Sequence, residues 1–149
     1  MDLTRITVFC FSASYVVAFA LEAFSAWRRF GVHRPVLLGF AAAGVFAHAT
    51  YLALRATGDP APLSSPADWC LVAALVLAGV YAAGAFTSPR LAIGLFLLPA
   101  VLGLILASRM ASTDPLSSQR SSYLWGVLHS GSLILATTTV TLGLRAGVM

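Results

Sequence analysis

Five nearly uninterrupted apolar blocks, at residues 6–27, 36–54, 69–86, 91–107 and 123–144, restrict what this 149-residue chain can fold into. Each holds about 17–22 residues, the length an α-helix needs to cross a hydrocarbon core roughly 30 Å thick. A soluble domain of this size needs a solvated face, and the residues for one are missing. Only 9% of the chain is charged, against the ~25% usual in soluble domains. The expected fold is all-α, a polytopic transmembrane helical bundle of about five helices. It forms one domain over residues 1–149.

The polar residues mark the ends of these blocks. All the basic residues are arginines, and lysine is absent. The first block is too long for a secretory leader, and its arginines follow the apolar run instead of preceding it. One side of the bundle gathers Arg28, Arg29, Arg34, Arg90 and Arg145 with no acidic residue in its loops. The other gathers Arg5, Arg55, Arg109 and Arg120, countered by Asp2, Asp59, Asp68 and Asp114. Under the positive-inside rule, the dense RRFGVHRP loop places the N-terminus outside and the C-terminus in the cytoplasm. Inner loops are short, whereas the outer RATGDPAPLSSPAD and SRMASTDPLSSQRSS are longer and turn-rich. No internal repeat is present.

Several function classes fall away. The arginines form no basic run with interleaved aromatics, which removes nucleic acid as a partner. Cys10 and Cys70 lie in different blocks and form neither CxxC nor CxxCH. A disulfide between them on the outer, oxidising side and two unrelated buried thiols are both compatible with the sequence. No serine with a base, paired carboxylates or phosphate-binding glycine loop appears, so an enzyme is not the expectation. Zinc needs three or four Cys, His or carboxylate ligands, and the chain does not supply them. Pro99 interrupts the fourth block and removes a backbone donor at mid-span. Glu22 stands near the inner arginines, within reach of Arg28 or Arg29, and His33 sits in the inner loop.

Ionisable residues inside a membrane segment are functional candidates, because burying them in hydrocarbon is costly. His48 and His129 are two such residues. His48 lies seven residues before Arg55, about 10 Å below the outer end of its helix, and His129 lies about 9 Å below the same face. Two imidazoles at one depth on opposed helices are placed to be both axial ligands of one haem iron. Gly44 and Gly126 fall on the faces of their histidines and leave room for a flat macrocycle, although small residues also mark close helix packing. Arg55 and Arg120 are candidate partners for haem propionates or simple headgroup anchors. Tyr51 and Trp125 line the pocket or belong to an interfacial aromatic belt.

The segments AHATYLALR, SPRLAIGLFLLPAVLGLILAS and LWGVLHSGSLILATTTVTLGLRAGVM together resemble the cytochrome c assembly superfamily, in particular its HemX-type, CcsA-like branch. The resemblance covers about residues 30–149 and implies a haem b held by paired transmembrane histidines, here His48 and His129. It further implies a role in cytochrome c biogenesis, a bacterial inner membrane, and other membrane subunits of a cytochrome c assembly or respiratory complex as partners. Neither outer loop carries the tryptophan-rich WWD segment or the histidines with which larger relatives present haem. The sequence also stops at RAGVM, where relatives continue into a basic tail and further helices, as an N-terminal half or a shortened relative would. Two other functions use the same residues: an electron-transfer subunit of cytochrome b type, and a cofactor-free structural subunit whose histidines hydrogen-bond across helices.

Overall fold

A computed structural model describes residues 7–28, 34–58, 64–87 and 94–114, together with residues 129, 133, 136, 140 and 143. The first four stretches carry helices α1 (Val8–Arg28), α2 (Arg34–Gly58), α3 (Pro66–Thr87) and α4 (Gly94–Met110). The five single positions, all in the expected fifth block, are helical as well. The rest of that block lies outside the described residues. Among the described residues, three helices are long and apolar enough to cross a membrane, over Val8–Ser25, Arg34–Thr57 and Pro66–Thr87. The fourth has 17 residues.

Helix α1 packs on α2 and α4, and α3 packs on the same two, so the four helices close into a ring. Contacts between named residues fix their directions. Phe11, near the start of α1, meets His48 and Tyr51 in the second half of α2. Arg55, near the end of α2, pairs with Asp68 at the start of α3. The amide of Ala67 donates to the carbonyl of Ser112, just past α4, at 3.3 Å. Successive helices therefore run antiparallel, as short connections favour. The core between them is built from Phe11, Tyr15, Ala18, Ala41, Leu71, Ala74, Ala78, Tyr81, Leu97, Leu98 and Val101. The outward faces are apolar too: Phe9, Trp27, Phe46, Phe96 and Met110 are all more than two-thirds exposed. Large aromatic residues turned outward around a core containing histidine and aspartate suit a hydrocarbon surround better than water.

The helices begin and end where polar groups decide, which moves some boundaries away from the apolar blocks. Helix α3 starts at Pro66, not at Trp69, because Ser65 caps it. The Asp68 amide donates to Ser65 Oγ at 3.2 Å, the Ser65 amide returns to Asp68 Oδ2 at 3.3 Å, and Ser65 Oγ donates to the same oxygen at 2.7 Å. This is a capping box with aspartate at its third helical position and proline at the first, where a missing N–H does no harm. The other carboxylate oxygen of Asp68 pairs with Arg55 Nε. Helix α2 runs from Arg34, past Leu54, to Gly58, and Arg55 is one of the residues this extension orders. At the opposite end, the Arg34 guanidinium donates to the carbonyls of Ala85 and Phe86 at 2.9 and 2.8 Å. It thereby satisfies two of the last carbonyls of α3 and sets a cation at the negative end of its dipole.

Three further expectations meet the structure here. Cys10 is exposed, Cys70 is part-buried, and both thiols are free. Glu22 receives a hydrogen bond from the hydroxyl of Tyr81 on α3 at 3.3 Å; the side chains of Arg28 and Arg29, its expected partners, lie outside the described residues. Gly94 makes room for this contact, since a Cβ there would lie 2.8 Å from both Glu22 Cγ and Tyr81 Cε2. Pro99 stands inside α4 on an exposed face, where the carbonyl of Leu95 loses its intrahelical donor.

The two polar ends make unequal contributions. Ser65→Ala removes the cap and should destabilise the bundle by about 1 kcal/mol. Arg55→Leu leaves the buried carboxylate of Asp68 without its cation. Because the Arg55 side chain is 29% exposed, the expected loss is about 2 kcal/mol, less than the ~3–5 kcal/mol of a wholly buried pair. Unfolding in detergent with increasing denaturant should rank Arg55→Leu below Ser65→Ala in stability.

Candidate functional site

The α1–α2 interface is organised around His48, which is completely buried. On α1, Phe11, Tyr15 and Ala18 recur at helical spacing and are all fully buried. On α2, Gly44 and His48 stand one turn apart on the buried face. The Phe11 ring lies flat on the imidazole, with centroids 4.1 Å apart and planes inclined by 2°. Tyr15 meets the imidazole edge-on, at 6.0 Å and 62°. Its hydroxyl oxygen sits 3.4 Å from His48 Nδ1. The ring plane and one ring nitrogen are thus both held from α1.

Gly44 makes this arrangement possible. A Cβ there would come within 2.7 Å of Tyr15 Cε1 and 3.0 Å of Cδ1, closer than carbon atoms approach. The room beside Gly44, expected from the sequence to admit a macrocycle, is filled by the Tyr15 ring. The small residue and the histidine do share a face, but the flat group lying against the glycine belongs to the chain itself.

The second ring nitrogen of His48 differs from Nδ1. Nε2 is closed off from solvent and has no hydrogen-bond partner among the described residues. A neutral imidazole always offers one donor and one acceptor, and an unmade hydrogen bond in a buried place is destabilising. An imidazole anchored through Nδ1 with Nε2 uncommitted matches the donor chemistry of an axial haem ligand, whose other nitrogen is normally engaged by a neighbouring group. His48 thus supplies a buried ring nitrogen of suitable donor chemistry, while the space beside Gly44 is already taken by Tyr15.

The other sequence candidates are placed less uniformly. His129 is helical and exposed, unlike the buried His48. Arg55 is engaged by Asp68. Tyr51 is half-buried, with its ring 5.6 Å from that of Phe11 and tilted by 54°. Arg120, Trp125 and Gly126 lie outside the described residues. Tyr51 and Arg55 share the lining of a pocket of about 200 Å³ with Val8, Asp68, Ser108 and Arg109, where α1 and α3 begin and α2 and α4 end. Among the described residues, no three His, Cys, Asp or Glu side chains gather to hold a metal ion. Haem iron needs only axial donors contributed singly from facing helices.

Tyr15 and Phe11 were not legible as site residues from composition. The available signal was a spacing: Phe11, Tyr15, Ala18 and Glu22 fall at i, i+4, i+7 and i+11, one stripe of the helix. A tyrosine within such a stripe, deep in an apolar block, needs a partner for its hydroxyl.

Gly44→Ala should force the Tyr15 ring off His48 and destabilise the protein by about 1–3 kcal/mol, the usual effect of overpacking. Gly39→Ala and Gly103→Ala place the same methyl where nothing lies within 4 Å. Those two should be neutral or gain about 0.5–1 kcal/mol from the better helix former, so unfolding midpoints of the three variants separate close packing from helix propensity. In comparisons with known proteins, no family model matches this chain, and no curated protein and no solved structure is significantly similar to it.

Proposed function

We propose that the protein binds haem b within a bacterial inner membrane and handles it for cytochrome c biogenesis, with the N-terminus outside and the C-terminus in the cytoplasm. His48, through Nε2, and His129 would hold the haem iron. The observation that supports this most directly is the completely buried Nε2 of His48, which has no hydrogen-bond partner among the described residues. The likeness of the histidine-bearing segments to the cytochrome c assembly superfamily points the same way. When bound, haem would supply a redox-active iron. The chain's own part is to hold the imidazole plane with Phe11, engage Nδ1 with Tyr15 and exclude water from Nε2. Arg55, steered by Asp68, and Arg120 are the donors for propionates. Further membrane subunits of an assembly or respiratory complex are the expected partners.

A second reading is favoured by a specific observation. The face-to-face stack of Phe11 on His48 and the Tyr15 ring filling the space beside Gly44 describe a tightly packed interface. In a cofactor-free subunit of a larger complex, these contacts would serve only to join α1 to α2.

The visible spectrum of the protein purified in detergent separates the two. A haem protein should show, or take up on addition of haem, a low-spin bis-histidine spectrum, and His48→Ala and His129→Ala should each abolish it. Colourless protein that takes up no haem, with both variants indistinguishable from wild type, leaves the structural subunit.

A further inference from the structure

The cavity of about 200 Å³ at the end of the bundle where α1 and α3 begin has a wall of two chemistries. Val8, Leu71 and Ala111 are apolar, whereas Arg55, Asp68 and Arg109 are charged. Two guanidinium groups stand against one carboxylate, an excess of one positive charge. Asp68 is already committed: one of its oxygens accepts from Ser65 and the other pairs with Arg55. Asp114, just past α4, is exposed, accepts a hydrogen bond from Ser112 and is not part of the wall. Among the described residues, Arg109 forms no ion pair. Its place in the last turn of α4 suits a cation, because the helix dipole is negative there. That place does not call for a cavity, nor for the hydroxyl-bearing side chains of Tyr51 and Thr113 in the same wall.

The level of the cavity narrows what could fill it. Val8 opens the apolar span of α1, Pro66 opens that of α3, and Thr57 closes that of α2. The cavity therefore lies where hydrocarbon gives way to headgroups. Phe9 and Met110, at the same end of the bundle, turn large apolar side chains outward. An occupant at this depth meets apolar surroundings on one side and guanidinium groups on the other, which describes an amphiphile with an anionic head. The planar guanidinium fork matches phosphate oxygens, and a charge-assisted hydrogen bond is roughly twice as strong as a neutral one.

We propose that this cavity binds the phosphate headgroup of an anionic phospholipid, with Arg109 as its principal partner and the acyl chains lying along the outward apolar faces of the bundle. The single excess positive charge selects a headgroup with one net negative charge, such as phosphatidylglycerol. Phosphatidylcholine, whose own ammonium balances its phosphate, lacks that complement. Arg55, held in place by Asp68, sets a second guanidinium in the wall. The inference does not rest on the haem reading, and Arg109 has no part in that reading.

The test follows thermal unfolding of the full chain in detergent micelles as lipid is added. Dioleoyl phosphatidylglycerol should raise the unfolding temperature of wild type, whereas dioleoyl phosphatidylcholine and inorganic phosphate should not. Arg109→Gln should weaken the apparent affinity for phosphatidylglycerol about tenfold, through loss of a charge-assisted hydrogen bond. Ala111→Leu keeps every charge but fills the cavity, and it should lose the response as well. Arg90→Gln removes a charge from the connection at the opposite end and should keep it. Native mass spectrometry of wild type needs no variant: from an equal mixture of the two lipids, phosphatidylglycerol should be retained in preference. Equal stabilisation and equal retention of the two lipids overturn the site, as does a phosphatidylglycerol response unchanged in both Arg109→Gln and Ala111→Leu. A response to inorganic phosphate as large as that to phosphatidylglycerol overturns the lipid and leaves a free-phosphate site.

Discussion

A polar group buried among membrane-spanning helices has no water to turn to, and it must find its partners within the protein. The ring of four helices is arranged around that requirement. Asp68 is the clearest case: one carboxylate oxygen closes the capping box with Ser65 and the other pairs with Arg55. A single side chain therefore starts α3 and ties it to the end of α2. At the far end of the same two helices, Arg34 answers the exposed carbonyls of α3. The α2–α3 pair is pinned at both ends by charge and packed between them by alanine and leucine. Glu22 and Tyr81 perform the same service between α1 and α3, in a gap that Gly94 keeps open.

The α1–α2 interface follows a different rule. Its polar contact, from Tyr15 to His48, lies deep within the helices, where burial is complete. Aromatic geometry enforces it: Phe11 stacks on the imidazole, Tyr15 meets it by the edge, and the absent side chain of Gly44 sets how closely α2 approaches. Aromatic rings have few rotamers, so such an interface is stiff. Stiffness suits a group whose direction matters. It would be an odd expense for a contact that only had to fill space.

Much of this was written in the sequence at the level of blocks and hardly at the level of partners. The apolar runs located four helices, because length and hydropathy alone decide whether a segment can cross hydrocarbon. His48 could be singled out because an imidazole in such a run is rare. The starts and ends were misplaced by a few residues wherever a cap or an ion pair decided them. Trp69 opens the hydrophobic block, but Ser65 and Asp68 open the helix. Gly44 was recognised as small for a reason, yet the reason lay on another helix. Nothing in the stretch around Gly44 states that Tyr15, 29 residues earlier in the chain, will fill the space beside it. Contacts across helices depend on rotation and register, which a single helix does not encode.

The same aromatic cluster bears on whether His48 is present for packing or for chemistry. If packing were the whole duty, a phenylalanine would occupy nearly the same volume and stack on Phe11 as well as the imidazole does. With Tyr15 also replaced by phenylalanine, no polar group would be left unmatched in the interface. Exchanging both members of a buried hydrogen-bonded pair for apolar groups of similar shape is often close to neutral. The histidine is the less favourable choice for packing, because it brings two ring nitrogens into an apolar place and Tyr15 answers only one of them. Among the described residues, the ring nitrogen left without a partner is Nε2, at full burial. What distinguishes this imidazole from a phenyl ring is therefore a lone pair or a proton at one defined point between helices. A ligand that uses that point would convert the one unfavourable feature of the interface into a bond.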